Sequence, residues 1–121
     1  MATVLTVDDS PSIRQMIKVT LEPAGHSVIE AGDGAQGLAQ AQAKRPDIVI
    51  TDLNMPTMNG LELIRALRKQ PTLTGLPIVF LTTESNEAVK QEAKSAGATG
   101  WITKPFKPEQ LLAVVAKLVR T

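Results

Sequence analysis

Five short apolar runs, each separated from the next by a segment of helical period, constrain this chain more than any other feature. Thr3-Val4-Leu5-Thr6-Val7 is the first, rich in the β-branched side chains that suit a buried strand. Ser10-Pro11 then provides an N-cap and a first-turn proline, and Ile13, Met16, Ile17, Thr20 and Leu21 recur at helical spacing until Pro23 and Gly25. Ser27-Val28-Ile29 reads as the second strand. A helix over 34–44 follows, with Ala35, Leu38 and Ala39 expected inside, and Pro46 after it. Asp47-Ile48-Val49-Ile50-Thr51 is the most continuously apolar run and is predicted to be the central strand.

The alternation continues to the end. Asn59 caps a helix carrying Leu61, Ile64 and Leu67, whose basic residues Arg65, Arg68 and Lys69 read as a solvated face. Pro77-Ile78-Val79-Phe80-Leu81 is the fourth strand, and a helix over 87–96 follows with Ala88, Val89, Ala93 and Ala96 expected on its inner side. Trp101-Ile102-Thr103 is the fifth strand. The last helix, over 108–120, carries Leu111, Leu112, Val115, Leu118 and Val119. Strands separated by helical segments imply right-handed crossovers and a parallel sheet covered on both faces. The expectation is one α/β domain over residues 1–121, a doubly wound five-stranded sheet, with no output domain.

Bulk properties narrow the function. Thirteen Lys+Arg against twelve Asp+Glu give a formal charge of +1, so no basic field exists to recruit a nucleic acid backbone. The absence of cysteine excludes disulfides, thiolate catalysis and thiolate-bound metals. No apolar run approaches the ~20 residues of a membrane span, and Met1-Ala2-Thr3-Val4-Leu5 carries no basic leader. No membrane association and a cytoplasmic location are expected.

In doubly wound sheets the ligand site lies beyond the carboxyl ends of the strands. Asp8-Asp9 follow the first strand, Asp52 ends the third, Thr82-Thr83 end the fourth and Lys104-Pro105 end the fifth. Glu30, from the second strand, would sit farther off if that strand is at the edge. Asp8-Asp9 alone would serve as helix-capping acids, but Ser10-Pro11 already fills that role; Asp52 alone would be a turn former. Together they form an acidic rim with one lysine. Carboxylates that converge repel one another unless a cation intervenes. Hard oxygen ligands select Mg²⁺ or Mn²⁺ over Zn²⁺, and Mg²⁺ favours sites that share it with a phosphate. A carboxylate beside Mg²⁺ and lysine is a candidate nucleophile towards phosphorus.

This set resembles the receiver domain of two-component response regulators, most closely the free-standing chemotaxis type. The resemblance runs from Val4 to about Leu118 and rests on Asp8-Asp9, Asp52, Thr82 and Lys104-Pro105, with Met55-Pro56 and Asn59-Gly60 after the acceptor. It implies the (βα)5 flavodoxin-like fold with strand order 2-1-3-4-5. It also implies that Asp52 is the phosphoacceptor, that Asp9 and Asp52 bind Mg²⁺ directly, Asp8 through water, and that the Asn54 backbone carbonyl completes the protein ligands. Lys104 would pair with the phosphoryl group, and the Lys104–Pro105 peptide bond would be cis. Thr82 and the fifth-strand aromatic, here Trp101 where the family usually has Tyr or Phe, would be the switch pair. Asn54 and Glu84 would tune loss of the phosphoryl group. Met55 and Met58 would shape the loop beside the acceptor, while His26 reads as an exposed turn residue.

The implied function is a phosphorylation-activated switch rather than an enzyme acting on external substrates. A histidine kinase would be the donor, and a downstream protein, a flagellar motor switch for example, would be the target of a monomer. A phosphate sink or a phosphorelay carrier is the alternative within the family. A phosphatase of the haloacid dehalogenase type would need a second Asp two positions after the nucleophile, where this chain has Asn54. A pseudo-receiver binding module would not be expected to keep the full acidic and basic set.

Overall fold

The computed structural model describes residues 2–53, 58–83 and 87–119. Five strands, β1 (Thr3–Val7), β2 (Ser27–Ala31), β3 (Ile48–Asp52), β4 (Ile78–Thr82) and β5 (Gly100–Thr103), alternate with α1 (Pro11–Leu21), α2 (Gly34–Lys44), α3 (Gly60–Arg68), α4 (Glu87–Ala96) and α5 (Pro108–Leu118). All strand pairs are parallel and the order is β2-β1-β3-β4-β5. This is the doubly wound topology that the sequence predicts. The order reverses between β1 and β3, which places the crevice of such a sheet at their carboxyl ends.

Side-chain alternation assigns the two faces. Leu5, Val7, Val49 and Ile78 pack with Leu63, Ile64 and Leu67 of α3 and Ala41 of α2. Val4, Ile48, Ile50, Val79, Leu81 and Ile102 pack on the opposite side with Ile17 and Leu21 of α1 and Leu111 and Val115 of α5. Every residue of β3 and β4 is buried, as central strands of a covered parallel sheet should be. Each fully buried Leu or Ile contributes about 1.5–3 kcal/mol relative to exposure.

Local signals set the helix starts. The Ser10 hydroxyl accepts from the Ile13 amide, and the Asp33 carboxylate from the Gln36 amide. At α3 a reciprocal pair closes the first turn: Asn59 Oδ1 accepts from the Glu62 amide and Glu62 Oε1 from the Asn59 amide. Strand limits shift slightly from the sequence reading. β3 and β4 start one residue later and end one later, β2 runs on to Ala31, and α5 ends at Leu118. Asp47, just before β3, uses its carboxylate to accept the Thr3 amide at 2.8 Å.

Several helix faces differ from the sequence expectation. On α2 the buried residues are Gly34, Gly37 and Ala41; Ala35 and Ala39 are exposed and Leu38 is half-buried. The helix lies so close to the sheet that a Cβ at Gly37 would come within 2.8 Å of Val7 Cγ2. Met16 on α1 points to solvent. On α4 only Ala93 is fully buried; Val89 and Ala96 are half-buried and Ala88 is exposed. His26 is half-buried, and its Nδ1 accepts the Ala2 amide at 3.1 Å. Arg68 is no solvated residue: its Nε and a terminal nitrogen donate to the Gly97 carbonyl at 3.0 and 2.8 Å.

Candidate functional site

The acidic rim is one cluster. Asp8 follows β1 and is 1% exposed; Asp52 closes β3 and is 7% exposed; Asp9, next to Asp8, faces solvent. One carboxylate oxygen from each lies within 4.8 Å of the others. Lys104, at the end of β5, brings its Nζ to 3.3 Å from Asp52 Oδ1 and 3.4 Å from Asp8 Oδ2. A single ammonium group therefore answers two buried carboxylates.

Backbone geometry holds these tips in place. The Asp8 N–H donates to the Ala31 carbonyl at 3.1 Å, tying the end of β1 to β2. Asp8 Oδ1 accepts the Ser10 amide at 2.9 Å, so the carboxylate is anchored at one oxygen by the helix entry and at the other by Lys104. After β3 the chain turns into α3 across a near contact: a Cβ on Gly60 would collide with the Asp52 carbonyl. Only glycine lets α3 start this close to the acidic residue. The Gly60 amide donates to the Leu53 carbonyl at 2.9 Å and fixes that approach.

Burial dominates the electrostatics of Asp8 and raises its proton affinity above the ordinary carboxylate value of 3.8. The Ser10 amide opposes that shift, the Asp52 charge adds to it, and Lys104 opposes it. The net direction is upward, so one nearby ammonium does not fully offset the loss of water around Asp8.

Thr82 is fully buried at the end of β4, one position beyond the Leu81 that pairs with Asp52 in register. Its carbonyl accepts the Lys104 amide at 2.8 Å, which links the threonine and lysine strands beyond the last ladder pair. The Lys104–Pro105 peptide is cis. Trp101 stands on the neighbouring strand, 45% exposed, with its ring 6.3 Å from the Phe80 ring and 4.7 Å beneath Lys90 Nζ. It is not a core residue in this state. Glu30 lies on the edge strand and faces Arg14 and Lys18 rather than the aspartates. Asn54, Met55 and Glu84 lie outside the described residues, and Met58 packs against the core beneath α3.

Sequence reasoning passed over Arg14. Its guanidinium donates to the Asp8 carbonyl and, at 3.1 Å, to Glu30 Oε1. The signal was present: a cation early in a helix stands near the positive end of the helix dipole and needs a local anion.

The donor set suits a hard divalent ion. Three carboxylates converge, the chain has no cysteine, and its one histidine is tied to Ala2 at the opposite end of β1.

The family profile of the response regulator receiver domain matches residues 4–116. The chain belongs to the response regulator receiver family. Such receivers are phosphorylation-type switches of two-component signalling, supplied by a histidine kinase and read by a downstream target, and they bind Mg²⁺ at a pocket of aspartates. The chemotaxis protein CheY4 of Vibrio cholerae is 51% identical to this receiver, covers 98% of both chains and superposes with a TM-score of 0.94. Protein PilH of Pseudomonas aeruginosa is 37% identical over 95% of both chains. The receiver domain of a sensor histidine kinase from Pseudomonas aeruginosa is 26% identical, covers 98% of this chain and 97% of its own with a TM-score of 0.90, and holds a magnesium ion in its active site cleft. Other curated relatives are longer; this receiver spans 52% of one and 48% of another. Among its described residues no helix is long and apolar enough to cross a membrane.

Proposed function

We propose that this receiver accepts a phosphoryl group on Asp52 from the phosphohistidine of a kinase, with Mg²⁺, and passes the change to the surface formed by α4, β5 and α5. The observation that carries the reading is the shared ammonium: Lys104 lies between Asp8 and Asp52 inside a three-carboxylate cluster. Asp9 and Asp52 would hold the metal directly, Asp8 through water, together with the Asn54 carbonyl. When bound, Mg²⁺ supplies charge neutralisation for a phosphoryl group in transfer.

The residues of the chain divide the remaining work. An Asp52 oxygen forms the new O–P bond as the N–P bond of the donor breaks and the imidazole leaves. Lys104 pairs with the incoming phosphoryl oxygens, and the Thr82 hydroxyl donates to one of them. Asn54 and Glu84 set how fast water removes the group again. Nothing here requires an external substrate to turn over.

Output is assigned to α4 because it is weakly held. Its inner side buries one alanine fully, against Leu53 and Phe80, so little apolar area resists its displacement. Trp101, half in water beside it, is the ring expected to turn inward. The likeness to CheY4 supports a role in chemotaxis or motility, with a flagellar motor component as the candidate target and the cytoplasm as the site of action.

Incubation with Mg²⁺ and acetyl phosphate, followed by intact mass, tests the reading. Wild type should gain one base-labile phosphoryl group and Asp52→Asn none. A wild type that gains nothing, or an Asp52→Asn variant that gains as much, would sink it.

A further inference from the structure

Arg14 takes no part in the phosphoryl chemistry just described, yet it touches the backbone that carries it. From the early turns of α1 its guanidinium reaches back to the Asp8 carbonyl with one terminal nitrogen and to Glu30 Oε1 with Nε. The side chain is 18% exposed, and Lys18, one turn later, stands 3.9 Å from the other Glu30 oxygen. Glu30 therefore braces the arginine from the edge strand, and two cations from one helix converge on it.

The accepting carbonyl belongs to the peptide that joins Asp8 to Asp9. Asp8 has other anchors in Ala31, Ser10 and Lys104. Asp9 has none comparable. It is exposed, and its carboxylate makes no hydrogen bond or ion pair among the described residues. The backbone position from which its side chain starts is thus held by the peptide plane before it, and Arg14 is the side chain that grips that plane.

We infer that Arg14, braced by Glu30, is a positioning residue that fixes the Asp8–Asp9 peptide and so aims the Asp9 carboxylate at the divalent-ion site. This rests on the reading of the acidic cluster as a Mg²⁺ site. A purely electrostatic role makes the opposite forecast for a charge-preserving change. A lysine at position 14 keeps the positive charge but loses the fork that bonds a carbonyl and a carboxylate together. The field at the cluster stays the same while the grip is lost.

Calorimetric titration of Mg²⁺ into wild type, Arg14→Lys, Glu30→Gln and the double variant separates the two, with melting in EDTA as the control for folding. Arg14→Lys is expected to bind Mg²⁺ about tenfold more weakly, the size usual for groups that orient metal ligands, while its melting temperature moves little. Glu30→Gln, on an exposed edge where folding is not at risk, should weaken binding by a smaller factor. The double variant should be no worse than Arg14→Lys alone, because both act through one contact. Unchanged Mg²⁺ affinity in Arg14→Lys, or independent effects that multiply in the double variant, overturns the inference and leaves the switch reading standing. A wild type that takes up no Mg²⁺ removes both.

Discussion

Lys104 reaches from the end of β5 to within 3.3 Å of Asp52 at the end of β3, passing over the end of β4 that lies between them. The same Nζ is 3.4 Å from Asp8. Removing it strands two buried carboxylates without a cation. Lys104→Ala should therefore lose about 2 kcal/mol of stability in EDTA, less than a fully buried pair because the lysine is partly wet. Added Mg²⁺ should recover more melting temperature in the variant than in wild type, since the ion replaces the missing charge. Equal recovery in both would show that the lysine and the metal do not serve the same carboxylates.

Asp8 gives a pH dependence whose sign is fixed by its burial. Its folded proton affinity is raised above 3.8, so the native state holds the proton more tightly than the unfolded chain does. The stability tied to that proton is present at low pH and is lost as pH rises through the raised folded value. Wild type in EDTA should therefore lose stability relative to Asp8→Asn as pH rises from 3.8 through that raised folded value. Urea unfolding of both proteins across that range measures the difference. A constant difference, or one that grows in favour of wild type, contradicts the burial argument.

The single tryptophan tests the proposed output face directly. Trp101 is 45% exposed and lies under Lys90. If phosphorylation turns the ring inward, its emission should move to shorter wavelength when Mg²⁺ and acetyl phosphate are added, and Asp52→Asn should show no shift. Lys90→Met should cost about 1 kcal/mol, as expected of a half-buried cation over an exposed ring, and should leave the phosphorylation-dependent shift in place. Full phosphorylation by mass with no change in emission would disconnect Trp101 from the acceptor.

The strand-end residues were legible because a parallel sheet buried on both faces leaves few places for charge. Asp8, Asp52 and Lys104 stand out where β-branched runs stop, and the topology brings such stops to one edge. Helix faces were harder to read. Met16 looks like a core residue by period, but α1 rests on the sheet through Ile17 and Leu21, and the stripe is narrower than the spacing suggests. Ala35 and Ala39 misled in the same way, because α2 approaches through Gly34, Gly37 and Ala41. Small residues mark closeness, and a count of apolar side chains overlooks glycine. His26 and Arg68 were read as surface residues since sequence gives their charge and not their partners. Each is bonded to a backbone group far away in the chain, Ala2 and Gly97.

Arg68 supplies the clearest test of how α4 is held. The helix ends in a Schellman arrangement: the Ala98 amide donates to the Ala93 carbonyl and the Gly97 amide to the Lys94 carbonyl, with Gly97 at φ 113°. Arg68, from the end of α3, donates twice to the Gly97 carbonyl and so ties the last turn of α4 to its neighbour. A second polar link between these helices, Arg65 to Glu92 at 3.8 Å, is solvent-exposed and is worth little. Arg68→Ala should cost about 2 kcal/mol, the scale of hydrogen bonds from a charged donor, and should speed amide exchange over residues 91–96. Exchange in α1 and α5, which lie across the sheet, should stay as it was. Arg68→Lys, with a single donor group, should fall between the two. Unchanged exchange over 91–96 would mean that the carbonyl contact does not hold the helix, and that α4 is fixed by Ala93 and Val89 packing alone.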